Sequence, residues 1–238
     1  MKKLHSLILA IAIPAAANFA AEPDYSAWNK VLSTHVKSGN KSGISAHLVS
    51  YRKIANDPQF VAAKKTITGF NPAELKSKSE KMAFYINAYN IAAIMKVLAQ
   101  YPTTSISAKG DGVWKESAIQ LGGKDYSLDA IENNILRPMG DARIHFAIVC
   151  ASLSCPDLRR EAYTAAKLAS QLESQTKGFI LNTSKGIRIE GNRIHQSAIF
   201  NWFAKDFKDV AAFQKKYLNE IPPAGERIEI PYNWSLNE

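Results

Sequence analysis

Apolar residues fill nearly every face of the stretch 80–100, and the pattern predicts a long helix central to the core. Ser79 stands at its N-cap position, and Tyr101-Pro102 ends it. Two amides, Asn87 and Asn90, interrupt the helix three residues apart on one face. Buried there, they must find partners: they either cap backbone groups of a neighbouring segment or serve a site. Earlier in the chain, 25–32 and 44–55 read as helices, joined by the polar segment 33–43, with a break at Phe70-Asn71-Pro72. Later, Gly122-Gly123 between 118–121 and 124–126 predicts a hairpin. Ser127 is placed to cap a helix 128–136, stopped by Pro138. That helix carries one carboxylate, Glu132, inside its apolar stripe. Such a group is either paired with a cation such as Arg143 or used in chemistry.

The run 144–149, rich in Ile and Val, predicts a short buried strand emptying into a loop of small and turn-forming residues. Thr164 is placed to cap a helix bearing Leu168, Leu172, Gln175 and Phe179. Residues 186–194 alternate around Gly191-Asn192 as a second hairpin, Ser197 caps 198–207, and a last helix covers 210–218. Helices come first, then hairpins mixed with helices. This order predicts an α+β fold: a largely helical single domain over 22–238 with a small sheet of hairpins and a short buried central strand.

Charge and targeting signals narrow the setting. Met1-Lys-Lys, the apolar run 7–17 and the small residues after it predict a signal peptide within 1–21, cleaved after Ala17, Ala20 or Ala21. The expected location is therefore periplasmic or secreted, and no later stretch predicts a transmembrane span. Without Lys2 and Lys3, 28 basic residues face 21 acidic ones. The lysines are scattered rather than clustered with aromatics, so a nucleic acid partner is not expected. An envelope substrate or protein partner fits better, and no cofactor is expected. There is no Gly-x-Ser-x-Gly elbow, His-Glu-x-x-His or phosphate loop.

Several ordered motifs carry a resemblance. Phe84-Tyr-Ile-Asn-Ala-Tyr-Asn90, Tyr126-Ser-Leu-Asp-Ala-Ile-Glu132 with Ile135-Leu136-Arg137, Arg143-Ile-His-Phe-Ala through Ser154-Cys155-Pro156, Ser197-Ala-Ile-Phe-Asn-Trp202 and the Tyr-Asn-Trp-Ser-Leu-Asn ending are similar to those of the domain of unknown function 547 family. The resemblance runs over about residues 75–237. Asn133 and Asn233 depart from it, standing where the family usually has His and Asp. The resemblance implies a cluster of Asn87, Asn90, Glu132, His145, Cys150 and Cys155, but no settled reaction.

Both cysteines and His145 fall in the central stretch, which suits thiol chemistry. In a cysteine hydrolase or acyltransferase, Cys155 or Cys150 is the nucleophile and His145 the base. Glu132 or Asn87 then orients the base, and the backbone N–H groups of 151–154 stabilise the oxyanion. Asn90, Arg143 and Ser154 are candidate binding residues beside them. On a regular strand His145 and Cys150 face opposite sides, which favours Cys155 as partner and leaves His195 in reserve. A second reading is a non-catalytic envelope-binding or scaffold domain with a Cys150–Cys155 disulfide, as an exporting compartment favours. A metal site of His145, a Cys and Glu132 fits no zinc spacing.

Overall fold

The structure, a computed structural model, describes residues 22–218, 222 and 225–238. The predicted signal peptide lies outside the described residues. Helix α1 (Ser26–His35) leads into a hairpin of β1 (Val36–Lys41) and β2 (Ile44–Val49), paired from Val36 to Val49 through Lys41 to Ile44. Here the sequence pattern predicted a polar link and a helix. The difference lies in Ser42-Gly43, whose φ angles of 53° and 77° make a two-residue turn matched to strand twist. Only the short α2 (Tyr51–Ile54) remains helical. Helix α3 (Pro58–Gly69), absent from the sequence reading, starts at Asp57, whose carboxylate accepts the Gln59 N–H, with Pro58 in the first turn. It packs against α1.

The predicted central helix is α4 (Lys78–Leu98). Its cap is Ser77 and not Ser79, because only Ser77 has Glu80 three residues on. Ser77 Oγ accepts the Glu80 N–H at 3.1 Å, and Glu80 Oε2 accepts the Ser77 N–H at 2.9 Å. The predicted hairpin forms as β3 (Ile119–Leu121) and β4 (Lys124–Tyr126), and Ser127 caps α5 (Leu128–Ile131) as expected. That helix then widens into one π-helical turn, Glu132–Leu136. Such turns recur where a side chain must be re-aimed.

The predicted central strand is not a strand. Asp141 accepts the Arg143 N–H, and Ala142–Phe146 winds as 3-10 turns with Ile144, His145 and Phe146 buried. No neighbouring strand is needed, because Asn90 satisfies the following backbone: its amide donates to Ala147 O at 3.0 Å and accepts the Val149 N–H at 2.9 Å. Burial of this run was legible, but its conformation was not.

Helix α6 (Leu168–Ile180) packs on the 142–146 turns. Thr164 does not cap it; its N–H goes to the Gln171 side chain at 3.1 Å. The second predicted hairpin is β5 (Ile187–Glu190) with β6 (Arg193–Ser197). The predicted helix 198–207 is split into α7 (Ile199–Trp202) and α8 (Ala204–Phe207), followed by α9 (Val210–Lys215), capped by Asp209. Strand β7 (Glu226–Ile230) adds to β6 in parallel.

Two apolar clusters result, a larger one around α4 and a smaller one of Phe146, Phe179, Phe200 and Phe207. Ile144 belongs to the first and Phe146 to the second, so the 142–149 segment is the seam between them. The architecture is α+β. Among the described residues, no helix is long and apolar enough to cross a membrane.

Candidate active site

A cavity of about 180 Å³ opens where the seam, the π-helical turn, α7 and the segment 232–238 meet. Its lining brings together Glu132, His145, Cys150 and Cys155 among Tyr89, Trp114, Trp202, Phe203, Tyr232 and Trp234. Four of the predicted site residues therefore converge on one pocket. An engineered apolar cavity of about 150 Å³ accepts benzene, so this one has room for a ring-sized group. Trp202 and Trp234, 47% and 43% exposed, lie nearly parallel with ring centres 5.8 Å apart, and Tyr232 sits beside both.

The two sulfurs lie 2.7 Å apart and share a hydrogen bond, while the Cys150 N–H donates to Cys155 Sγ at 2.8 Å. Cys150 is half-buried and Cys155 buried, and they are unbridged. Burial opposes ionisation of Cys150. Hydrogen bonds from the Cys155 thiol and the Ser152 and Tyr232 hydroxyls, both 3.2 Å away, outweigh it and hold its pKa below the ordinary thiol value. Burial and the neighbouring Cys150 charge push Cys155 up. The more reactive sulfur is thus Cys150, whereas the strand reading favoured Cys155. Between them, Ala151 sits at φ 61°, a strained conformation for a residue with a Cβ.

Glu132 is nearly buried, and burial pushes its carboxyl up to about 7 despite the opposing Arg137 charge and a hydrogen bond with the Tyr89 hydroxyl. Its predicted partner Arg143 is elsewhere, paired with Asp141 at 2.7 Å and Glu173 at 3.3 Å. His145 Nδ1 lies 4.0 Å from Glu132 Oε1 and has no hydrogen-bond partner. The other ring nitrogen, Nε2, is 2.7 Å from Asp206, and Phe203 stacks on the ring with centres 3.8 Å apart. Burial brings the imidazole down to about 4, against the pull of Asp206, so it is neutral near pH 7.

Asp206, and not Asn87, orients the histidine. Arg137 holds Asp206 with two hydrogen bonds, from Nε at 2.6 Å and from Nη2 at 3.1 Å, and keeps its carboxyl low. Asn133 accepts from Arg137 at 2.7 Å and donates to Asp129 at 2.8 Å. A hydrogen-bonded line thus runs from α5 through Asn133, Arg137 and Asp206 to His145.

The remaining predicted residues hold the frame. Asn87 donates to Tyr163 O at 2.7 Å and accepts the Tyr163 N–H at 3.0 Å, and Asn90 bridges Ala147 and Val149. Ser154 makes a reciprocal pair with Asn233: its N–H donates to Asn233 O, and its Oγ accepts the Asn233 N–H. Leu153 N–H donates to Ser235 O, so two of the proposed oxyanion donors, Leu153 and Ser154, are already committed. His195 lies on β6, 3.2 Å from Glu190 and outside the cavity lining. Among the described residues, no three His, Cys, Asp or Glu side chains are arranged to hold a metal ion.

Sequence reasoning missed Asp206, Tyr89 and Lys185. Asp206 lies in none of the quoted motifs; Tyr89 sits within Phe84–Asn90 without a chemical cue. Lys185 is buried, and its ammonium donates to Cys155 O at 2.8 Å and Asp157 at 2.6 Å, fixing the cysteine loop from behind. Arg137, Trp202, Tyr232 and Trp234 do stand in the quoted motifs.

Residues 72–180 match the model of the family described as protein of unknown function, DUF547. The match spans α4, the π-helical turn and the whole cysteine loop. No curated protein and no solved structure matches the chain.

Proposed function

We propose that the chain is a thiol-dependent hydrolase or acyltransferase opening amide or ester bonds, with Cys150 as nucleophile. The observation carrying this reading is the convergence of Cys150, Glu132 and the unpartnered His145 Nδ1 on one aromatic-lined cavity. The Cys150 thiolate attacks the carbonyl carbon, and Glu132, whose carboxyl burial holds up to about 7, gives its proton to the leaving nitrogen or oxygen. Glu132 then takes a proton from the water, alcohol or amine that attacks the thioester, releasing Cys150. His145, held by Asp206, lies beside Glu132 to stabilise either form. The ring-sized cavity suits an acyl or leaving group with an apolar ring. The basic start and apolar run of the chain support the cell envelope as its place of work.

Aryl esters, aryl amides and thioesters offered to the purified chain test this. Cys150→Ala is expected to lower turnover at least about a hundredfold, with Cys155→Ser retaining most of it. Equal turnover by Cys150→Ala rejects the reading. A second reading, a non-catalytic envelope-binding or scaffold domain stapled by a Cys150–Cys155 disulfide, draws support from the 2.7 Å sulfur separation. Intact mass after alkylation, with and without reduction, separates the two. No alkylation before reduction and two sites after it support the staple, and two free thiols the enzyme.

A further inference from the structure

Acyl transfer at Cys150 uses Cys155 only as a hydrogen-bond donor to the nucleophile. That role asks for a donor of any kind, yet the group present is a second sulfur 2.7 Å away, held by the nucleophile's own backbone N–H. The environments of the two sulfurs are also unequal. Cys150 is half-buried at the aromatic cavity with the Ser152 and Tyr232 hydroxyls on it, whereas Cys155 is 4% exposed. That asymmetry suits an attacking thiol backed by a resolving one.

The loop is also held for such a reaction. Lys185 grips the Cys155 carbonyl, Asn90 grips Val149, and Ser152, Leu153 and Ser154 are tied to the segment 232–238. Closing the sulfurs to a covalent bond needs only about 0.7 Å of movement. Beside Cys150, the cavity formed with Trp114, Trp202, Phe203 and Trp234 accepts one ring-sized half of an incoming molecule.

We propose that Cys150 and Cys155 form a redox-active dithiol that exchanges with disulfides bearing an apolar, ring-sized group. The Cys150 thiolate attacks one sulfur of R–S–S–R′, forming a Cys150–S–S–R mixed disulfide and expelling R′S⁻. Cys155 gives up its proton to that thiolate and attacks Cys150 Sγ, forming the Cys150–Cys155 bond and expelling RS⁻, which takes a proton from water. Two protein thiols lose two electrons, and one disulfide gains them to become two thiols. This activity uses the proposed hydrolytic pocket but not hydrolysis, so either can fail alone.

The probe is 2,2′-dipyridyl disulfide, uncharged and ring-bearing, added to the reduced full chain. Released pyridine-2-thione is followed by absorbance, and the protein by intact mass. Wild type is expected to release two equivalents and to lose two hydrogens with no pyridyl adduct. Cys155→Ser should release one equivalent and keep one pyridyl group, and Cys150→Ser should react at least about tenfold more slowly. Wild type carrying one or two stable pyridyl groups overturns the proposal, as does Cys150→Ser reacting at the wild-type rate. Circular dichroism checks each variant's fold; if a variant is unfolded, wild-type stoichiometry and mass decide alone. Loss of ester turnover with the exchange intact would reject the hydrolytic reading only.

Discussion

Glu132 and His145 are both held away from their ordinary ionisation, in opposite directions. Glu132 sits at about 7 against an ordinary 4.5, so the unfolded chain binds fewer protons than the folded one between those values. Its contribution to stability is therefore lost as pH rises through that window, by about 3 kcal/mol in all. His145 sits at about 4 against 6.5, and its contribution rises with pH between them by a similar amount. The two slopes oppose each other from 4.5 to 6.5, so wild-type stability should be nearly flat there. Glu132→Gln removes one slope. Denaturant midpoints should show this variant gaining stability from pH 4 to 6.5, and exceeding wild type by up to about 3 kcal/mol at pH 8. A loss at pH 8 would reject the buried, raised carboxyl. At this scale the sequence was informative about Glu132, because a carboxylate inside an apolar stripe is conspicuous. It could not reveal Asp206, which reaches His145 across 61 residues of chain.

Elements that carry their own signals were legible. Gly122-Gly123 and Gly191-Asn192 announced two hairpins, and the apolar breadth of α4 announced a core helix. The hairpin at Ser42-Gly43 was not recognised, because Ser at positive φ is uncommon and its strands are largely polar. The 142–149 segment failed for another reason: its backbone is satisfied by a side chain, Asn90, and no periodicity records that. Asn90→Ala leaves the Ala147 carbonyl and Val149 N–H buried without partners. The expected cost is about 2–4 kcal/mol by denaturant melts, with slower labelling of Cys150 as its backbone loses support. Unchanged stability would mean that the seam holds its shape without the amide.

At the scale of the molecule, the cysteine loop is gripped from distant parts of the chain. Asp157 accepts the His47 N–H of β2 at 2.8 Å and the Lys185 ammonium at 2.6 Å, joining three regions at one carboxylate. Lys185→Met takes the buried ammonium from the part-exposed Asp157 and from the Cys155 carbonyl, and a loss of about 2–3 kcal/mol is expected in urea melts. A change within 0.5 kcal/mol would show the pair to be idle. The grip of 232–238 on Ser152, Leu153 and Ser154 has a further meaning in time. A ribosome makes the two thiols some eighty residues before it makes Asn233 and Ser235, which close the loop over them. During that interval the cysteines exist without the contacts that shape their loop. The proposed thiol chemistry therefore has to wait for a segment made some eighty residues later.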